Sequence, residues 1–366
     1  MKHVYLALLG ATATYADFDI QEAIDTSKPG TVISIPAGTY RTPIQIKQGL
    51  TLSGENAVLE VESNQPAILI NTHKPVLLEG ITFRYKTAHK PKKSDTPYAV
   101  FIRNGEIEIK NCVFEALDNS TASPGAVSAR DKSEVNIRNC RFDGFEYTIQ
   151  IWNGAEGDIE NCLIMNPGHC GITIGHGSSA ELKHNIVAGS RYHGIRCTGG
   201  KIEADSNLVI QNKNRGFYIG NRSATGELSN NLIVDNGTGI SVFVLSKLGI
   251  EHNVIIRSSH AGLAIADTAK LKVENNIIAD NEKGLVGFSA EKDREPDMDI
   301  KGRNLLAGNK MVSENLGLSS KIIEKDPAFS QSGKGLFKSA VNGIGLENPG
   351  ELQSLWIKWQ TALNTH

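Results

Sequence analysis

Two kinds of short apolar pattern alternate along most of this chain: a strand in which every second residue is apolar, then a polar position, then a strand that is apolar throughout. The unit is plainest in the second half, as LKHNIV (182–187), ADSNLVI (204–210), LSNNLIV (228–234), IEHNVII (250–256), VENNIIA (273–279) and KGRNLLA (301–307). These place Asn185, Asn207, Asn231, Asn253, Asn276 and Asn304 in one column, at spacings of 22, 24, 22, 23 and 28 residues. Cys162, Cys140, Cys112 and Ile81 continue the column backwards, which makes ten repeats. A repeat of about 22 residues without a helix cannot bury its apolar face alone, so the repeats must stack as coils about 4.8 Å apart. The pattern therefore predicts an all-β, right-handed, single-stranded parallel β-helix of about ten coils.

The column also assigns roles. A stacked asparagine can satisfy turn backbone and bond the asparagine of the next coil, whereas Cys112, Cys140 and Cys162 act as small apolar fillers, as does inward-facing Cys197. A solenoid exposes its core at both ends, so caps are expected. Ile20, Ala23 and Ile24 form one face of a short helix at the front. At the back Pro349 opens a helix that buries Leu352, Leu355, Trp356 and Trp359. The chain thus divides into 1–16, 17–310 for the β-helix with its front cap, and 311–366 for a tail and capping helix. Residues 1–16 read as a secretory signal: a lysine, an apolar run from Val4 to Ala11, then small residues with cleavage after Ala13 or Ala16. The protein is accordingly expected to be secreted or periplasmic, with no membrane span.

The order of ladder strand, Asn turn, apolar strand, loop and Gly-apolar-x-apolar strand resembles the pectate-lyase-like superfold and its carbohydrate-binding and sugar-hydrolase repeats. The resemblance covers about residues 17–310, and IQEAIDTSKPGTVISIPAGTY (20–40) is similar to the front cap of that group. It implies a substrate lying along the outside of the sheet that follows the loop. It does not decide among lyases, epimerases, hydrolases and non-catalytic proteins.

On that sheet, alternation gives a first outward row of Phe101, Ser128, Gln150, Thr173, Arg196, Tyr218, Ser241, Ala264 and Val286. The second row is Arg103, Arg130, Trp152, Gly175, Thr198, Gly220, Phe243, Ala266 and Phe288. Polar groups occupy coils 100–222, and the last three coils turn apolar, as if covered by the tail around 311–346. The flanking loops add His169, Tyr192, His193, Arg215, Asn153, His176, Asn221 and Arg222, and a long loop (84–98) adds Arg84, Lys86, His89, Lys90, Lys92 and Lys93. The overall balance of 38 Lys+Arg against 40 Asp+Glu argues against a nucleic-acid partner, so these cations are a local feature.

A uronic-acid polymer fits such a groove. Loss of its C5 proton requires a neutralised carboxylate and a nearby base. Arg196 and Arg130 are the expected carboxylate clamps, His193 the base and Tyr218 the acid. Arg103, Gln150, Trp152, Asn153, His169, Thr173, His176, Tyr192, Arg215, Asn221 and Arg222 are expected to bind substrate. Hydrolysis needs paired carboxylates. The outward rows hold none, with Asp131, Asp143, Glu146 and Glu156 only nearby in loops. Calcium is an open cofactor, through Glu115, Asp118, Asp143 and Glu146. The expectation is a monomer acting on an acidic polysaccharide as a lyase or C5-epimerase; the alternative is a non-catalytic β-helix that binds a glycan or a periplasmic partner.

Overall fold

The computed structural model describes residues 18–89, 97–117, 124–220, 223–266, 268–288, 297–316, 322–323 and 345–364. Residues 1–16, expected to be a signal segment, the lysines 90, 92 and 93, Asp118, Asn221, Arg222 and most of the tail 311–346 lie outside them. Three long parallel sheets wrap one core. The first has twelve strands, from Thr31–Ser34 to Asp297–Lys301; the second has thirteen, from Gly38–Tyr40 to Ile322–Ile323; the third has twelve, from Ile44–Ile46 to Met311–Glu314. Within each sheet a strand pairs with the strands three positions before and after it in the chain, except at the rear of the second sheet, where Asn304–Ala307 pairs with Ile322–Ile323, two positions on. The ten coils expected from the polar column are all present, and two more precede them at the front.

The column behaves as its chemistry demands. Asn207 Nδ2 donates to Asn231 Oδ1 at 3.0 Å, and the Asn207 backbone N–H donates to the same oxygen at 3.0 Å. The pattern repeats through Asn185, Asn231, Asn253 and Asn276 to Asn304. Cys112, Cys140 and Cys162 are free, buried thiols whose Sγ atoms donate to carbonyls of the preceding coil. Above this column Phe83, Phe114 and Phe142 stack inside the core at centroid separations of 4.5 and 4.7 Å.

A second ladder went unread in the sequence. Five residues after each ladder asparagine stand Ser190, Asn212, Asn236, Ser258, Asn281 and Asn309. Asn212 Nδ2 donates to Asn236 Oδ1 and Asn281 Nδ2 to Asn309 Oδ1, each at 3.0 Å. The two ladders bracket the three-residue second-sheet strand and so fix both of its corners.

The front helix, α1 (Ile20–Thr26), is as expected: Asp19 accepts from the Glu22 N–H at 3.0 Å, and Ile20 and Ile24 are buried. The rear helix, α2 (Pro349–Leu363), forms where the Pro349 signal puts it, but it does not close the open end. Its Leu352, Leu355 and Trp359 pack with the outward side chains Leu163, Met165, Ile186, Leu208, Ile210 and Leu232 of the second sheet. The reason is visible in the strands. Earlier coils put charged residues at these outward positions, such as Arg141 and Asp143, whereas from Leu163 onward they are apolar and need a cover. The helix runs back along the axis: Glu347 N–H donates to Asn230 Oδ1, Glu351 meets His184, and Lys358 Nζ donates to the Asn161 carbonyl. Among the described residues no helix is long and apolar enough to cross a membrane.

Candidate functional site

The third sheet carries the two outward rows in the register that alternation gives, with Phe101, Ser128, Gln150, Thr173, Arg196, Tyr218, Ser241 and Ala264 directly abreast in successive coils. Over its early coils lies a groove of 780 Å³. Arg103, Arg130, Gln150, Trp152, Asn153, Thr173 and Arg196 line it, as do Tyr98, Tyr147, Leu69 and Asp131. Seven of the expected residues therefore share one concavity.

Arg130 anchors its first half. Its Nε donates to Ser128 Oγ at 2.8 Å and an Nη to Gln150 Oε1 at 3.0 Å, and its guanidinium stands 5.9 Å from the rings of both Phe101 and Trp152. Trp152 owes its pose to the next coil: a Cβ at Gly175 would lie 2.0 Å from the indole, so only glycine lets the ring settle there. Tyr98 is buried beside Arg130; burial raises its hydroxyl pKa strongly, and the guanidinium opposes that rise.

Arg196 anchors the second half. Its guanidinium lies 5.7 Å from the Tyr218 ring, and its Nε is buried without a hydrogen-bond partner. His193 is 2 % exposed, and its Nδ1 is likewise buried and unpartnered. Burial, then the charges of Arg215 and Arg196, lower the His193 pKa to about 3, so the ring is neutral at ordinary pH. The Tyr218 ring lies 4.7 Å from His193, and Arg215 sits 5.5 Å from Tyr218, with its own pKa lowered by burial. His169 and Tyr192 continue the ring contacts, and the His169 pKa is lowered by burial and by Arg196. Thr173 and Thr198 add two more buried hydroxyls without partners. Among the described residues, none of Arg103, Arg130, Arg196 or Arg215 forms an ion pair with a carboxylate.

The structure brings together His193, Arg196, Tyr218 and Arg215, but sets Arg130 three coils away, about 14 Å by coil stacking. His176 is an exposed turn residue and does not line the groove. His193 and Arg215 are not loop residues but open their strands, His193–Thr198 and Arg215–Gly220. Arg84 and Lys86 do not overhang the groove; they stand on the second sheet, paired with Glu115 and Glu62. Glu115 and Asp143 are also on that sheet, abreast of each other, with Arg84 and Arg141 as partners. Among the described residues no three His, Cys, Asp or Glu side chains gather to hold a metal ion. Glu156 opens a first-sheet strand, and Glu146, its pKa raised by burial, faces Gly168. Asp131 alone of the expected loop acids lines the groove.

Sequence reasoning missed Tyr98, Tyr147 and Cys170. Strict alternation turns them inward, because each precedes an inward residue by two. The strands bend there: Cys170 pairs with His193 and Ile172 with Ile195, while Gly171 packs its backbone on the Gly194 carbonyl. The glycine column Gly171, Gly194 and Gly216 was the available signal for a corner at Cys170, His193 and Arg215, whereas Ala99 and Thr148 occupy that place after Tyr98 and Tyr147. Cys170 Sγ lies 3.0 Å from His169 Nδ1, and burial raises its thiol pKa to about 11.

A family model described as "Right handed beta helix region" matches residues 66–225 and 199–298. The sequence matches no curated protein. Among solved structures, the chain is similar to the periplasmic alginate epimerase AlgG, with a TM-score of 0.56 and 14% identity over 84% of this chain and 82% of that one. A double mutant of AlgG gives 0.59 and 15% over the same shares. The A-module of the Azotobacter vinelandii mannuronan C-5 epimerase AlgE6 gives 0.51 and 15%, over 84% and 94%. At these identities the likeness concerns the fold.

Proposed function

This chain belongs to the family of right-handed β-helix proteins, and from that premise we propose that its third sheet binds an anionic, uronic-acid polysaccharide and acts on it at C5, by β-elimination or by epimerisation. One observation carries the reading: among the described residues, arginines without carboxylate partners line a groove, and there Arg196 Nε and the neighbouring His193 Nδ1 are buried without partners. Buried donors and acceptors are ordinarily satisfied, and a set left open together is best explained by a ligand that completes it.

The chemistry follows from the neighbours of Arg196. A uronate carboxylate bound by its guanidinium loses much of its charge, which makes the adjacent C5 proton more acidic. Neutral His193 accepts that proton. Its low basicity comes partly from Arg215 and Arg196, and a carboxylate placed between these charges offsets them, so substrate raises the pKa of its own base. If the Tyr218 hydroxyl then protonates O4 as the C4–O4 bond breaks, the product is an unsaturated uronate. If a proton returns to C5 from the opposite face, the product is the epimer. That the similar structures are named as alginate and mannuronan epimerases supports C5 chemistry. An exported location, in the periplasm or outside the cell, belongs to the same proposal.

The test incubates the protein in deuterated water with mannuronan, polyguluronate and polygalacturonate, with and without calcium, and follows deuterium at C5 and the ultraviolet absorbance of unsaturated uronate. One of the two signals is expected, and Arg196→Gln should lower it by about 100-fold or more. Binding without either signal would reject catalysis on these polymers and leave a non-catalytic glycan-binding β-helix.

A further inference from the structure

Resting on the reading that the groove holds an anionic polysaccharide, we infer that it measures length, gripping anionic groups on sugars three positions apart and leaving those between them unclamped. The groove has two cationic ends. Arg103 and Arg130 stand in adjacent coils at one end, and Arg196 and Arg215 in adjacent coils at the other. From Arg130 to Arg196 is a step of three coils, through Gln150 and Thr173, or about 14 Å. The two intervening coils carry no cation on either outward row. They present Gln150, Trp152, Asn153, Thr173 and Gly175 instead.

The middle is built to be flat and neutral. The Trp152 indole lies over Gly175, where no side chain stands in its way, and bridges the two cation-free coils. An aromatic face of this kind suits the C–H surface of a pyranose, whereas the guanidiniums suit its carboxylate. A β-linked pyranose chain advances by about one coil height per sugar, so a strand lying along the axis places sugars i and i+3 at the two ends. The ligand class is therefore an oligouronate of at least four sugars. Shorter chains reach one end only and gain from one pair of arginines. A chain that spans both gains the second contact intramolecularly.

The prediction concerns the shape of the length dependence. Dissociation constants of the whole protein are measured with oligouronates of two to six sugars from mannuronan, by calorimetry and by the fluorescence of Trp152. Affinity should change little from two to four sugars and step up by about tenfold or more between four and six, where one chain meets both pairs, and Arg130→Gln should lower hexasaccharide affinity by more than it lowers disaccharide affinity. Trp152→Phe should keep the step, and its loss of the fluorescence change would assign the signal among the three tryptophans. A smooth rise with length, or equal loss at every length in Arg130→Gln, overturns the two-ended groove and leaves oligouronate binding intact. Absence of binding at every length overturns the groove reading itself, and the ruler with it.

Discussion

The first and third sheets are built from the same coils and have twelve strands each, yet they treat charge in opposite ways. On the first sheet most cations have an acid within reach: Arg138 lies 2.7 Å from Asp158, Lys183 2.9 Å from Glu181, and Lys272 3.1 Å from Glu274 while also touching Glu251. These side chains are about half exposed, so the pairs contribute little stability and mainly keep the face solvated. On the third sheet the arginines have rings, hydroxyls and amides for neighbours and no acid partner among the described residues. Charge that is satisfied in place belongs to the scaffold, and under the proposed function the charge left unpaired in the groove is there for a ligand. Sequence composition, almost neutral overall, conceals both facts.

The sharpest way to break this contrast is to give the third sheet an acid of its own. Gln150→Glu puts a carboxylate where Arg130 already bonds, and it should weaken oligouronate binding by roughly 10- to 100-fold with little change in thermal midpoint, measured by calorimetry and by thermal melting. A smaller effect arises from pH. His193 has a folded pKa of about 3 against an ordinary 6.5, so the unfolded chain binds a proton that the folded chain refuses between those values. Stability should be full above pH 6.5 and be lost progressively as pH drops toward 3. His193→Asn should flatten that part of the urea-midpoint profile. The smallest effect is expected on the opposite face, where Arg138→Gln should change stability by less than about 1 kcal/mol and leave oligouronate affinity unaltered. Equal losses from Arg138→Gln and Gln150→Glu would show that bulk charge, not the groove, governs binding.

Much of this molecule was legible from spacing alone. The ladder asparagines sit where a period of about 22 residues puts them, and alternation on the third sheet then carries Arg103, Arg130, Gln150, Trp152, Thr173 and Arg196 to one face. Alternation failed at corners. Tyr98 and Tyr147 line the groove although they precede inward residues by two, because the strand pairing skips Ala99 and Thr148, the residues that follow them, and parity is lost there. It failed again for α2, whose apolar stripe says that it packs but not on what. The answer was held by another segment, in the change from Arg141 and Asp143 to Leu163 and Met165 at equivalent outward positions. Proximity between remote side chains, such as His193 beside Arg215 rather than Arg130, required the coil stacking to be counted as well as the faces.

The asparagine ladder also gives the solenoid a direction. From Asn207 to Asn276 each amide accepts two hydrogen bonds from the coil before it and donates one to the coil after it, so the side-chain dipoles of the ladder point the same way along the axis. A finished coil therefore presents a fork of two N–H groups that the next asparagine oxygen fills. Because the chain emerges from the ribosome in that same order, each coil leaves behind it a template for its successor, and assembly can proceed as a vectorial zipping in which a late coil has a prepared seat before it exists.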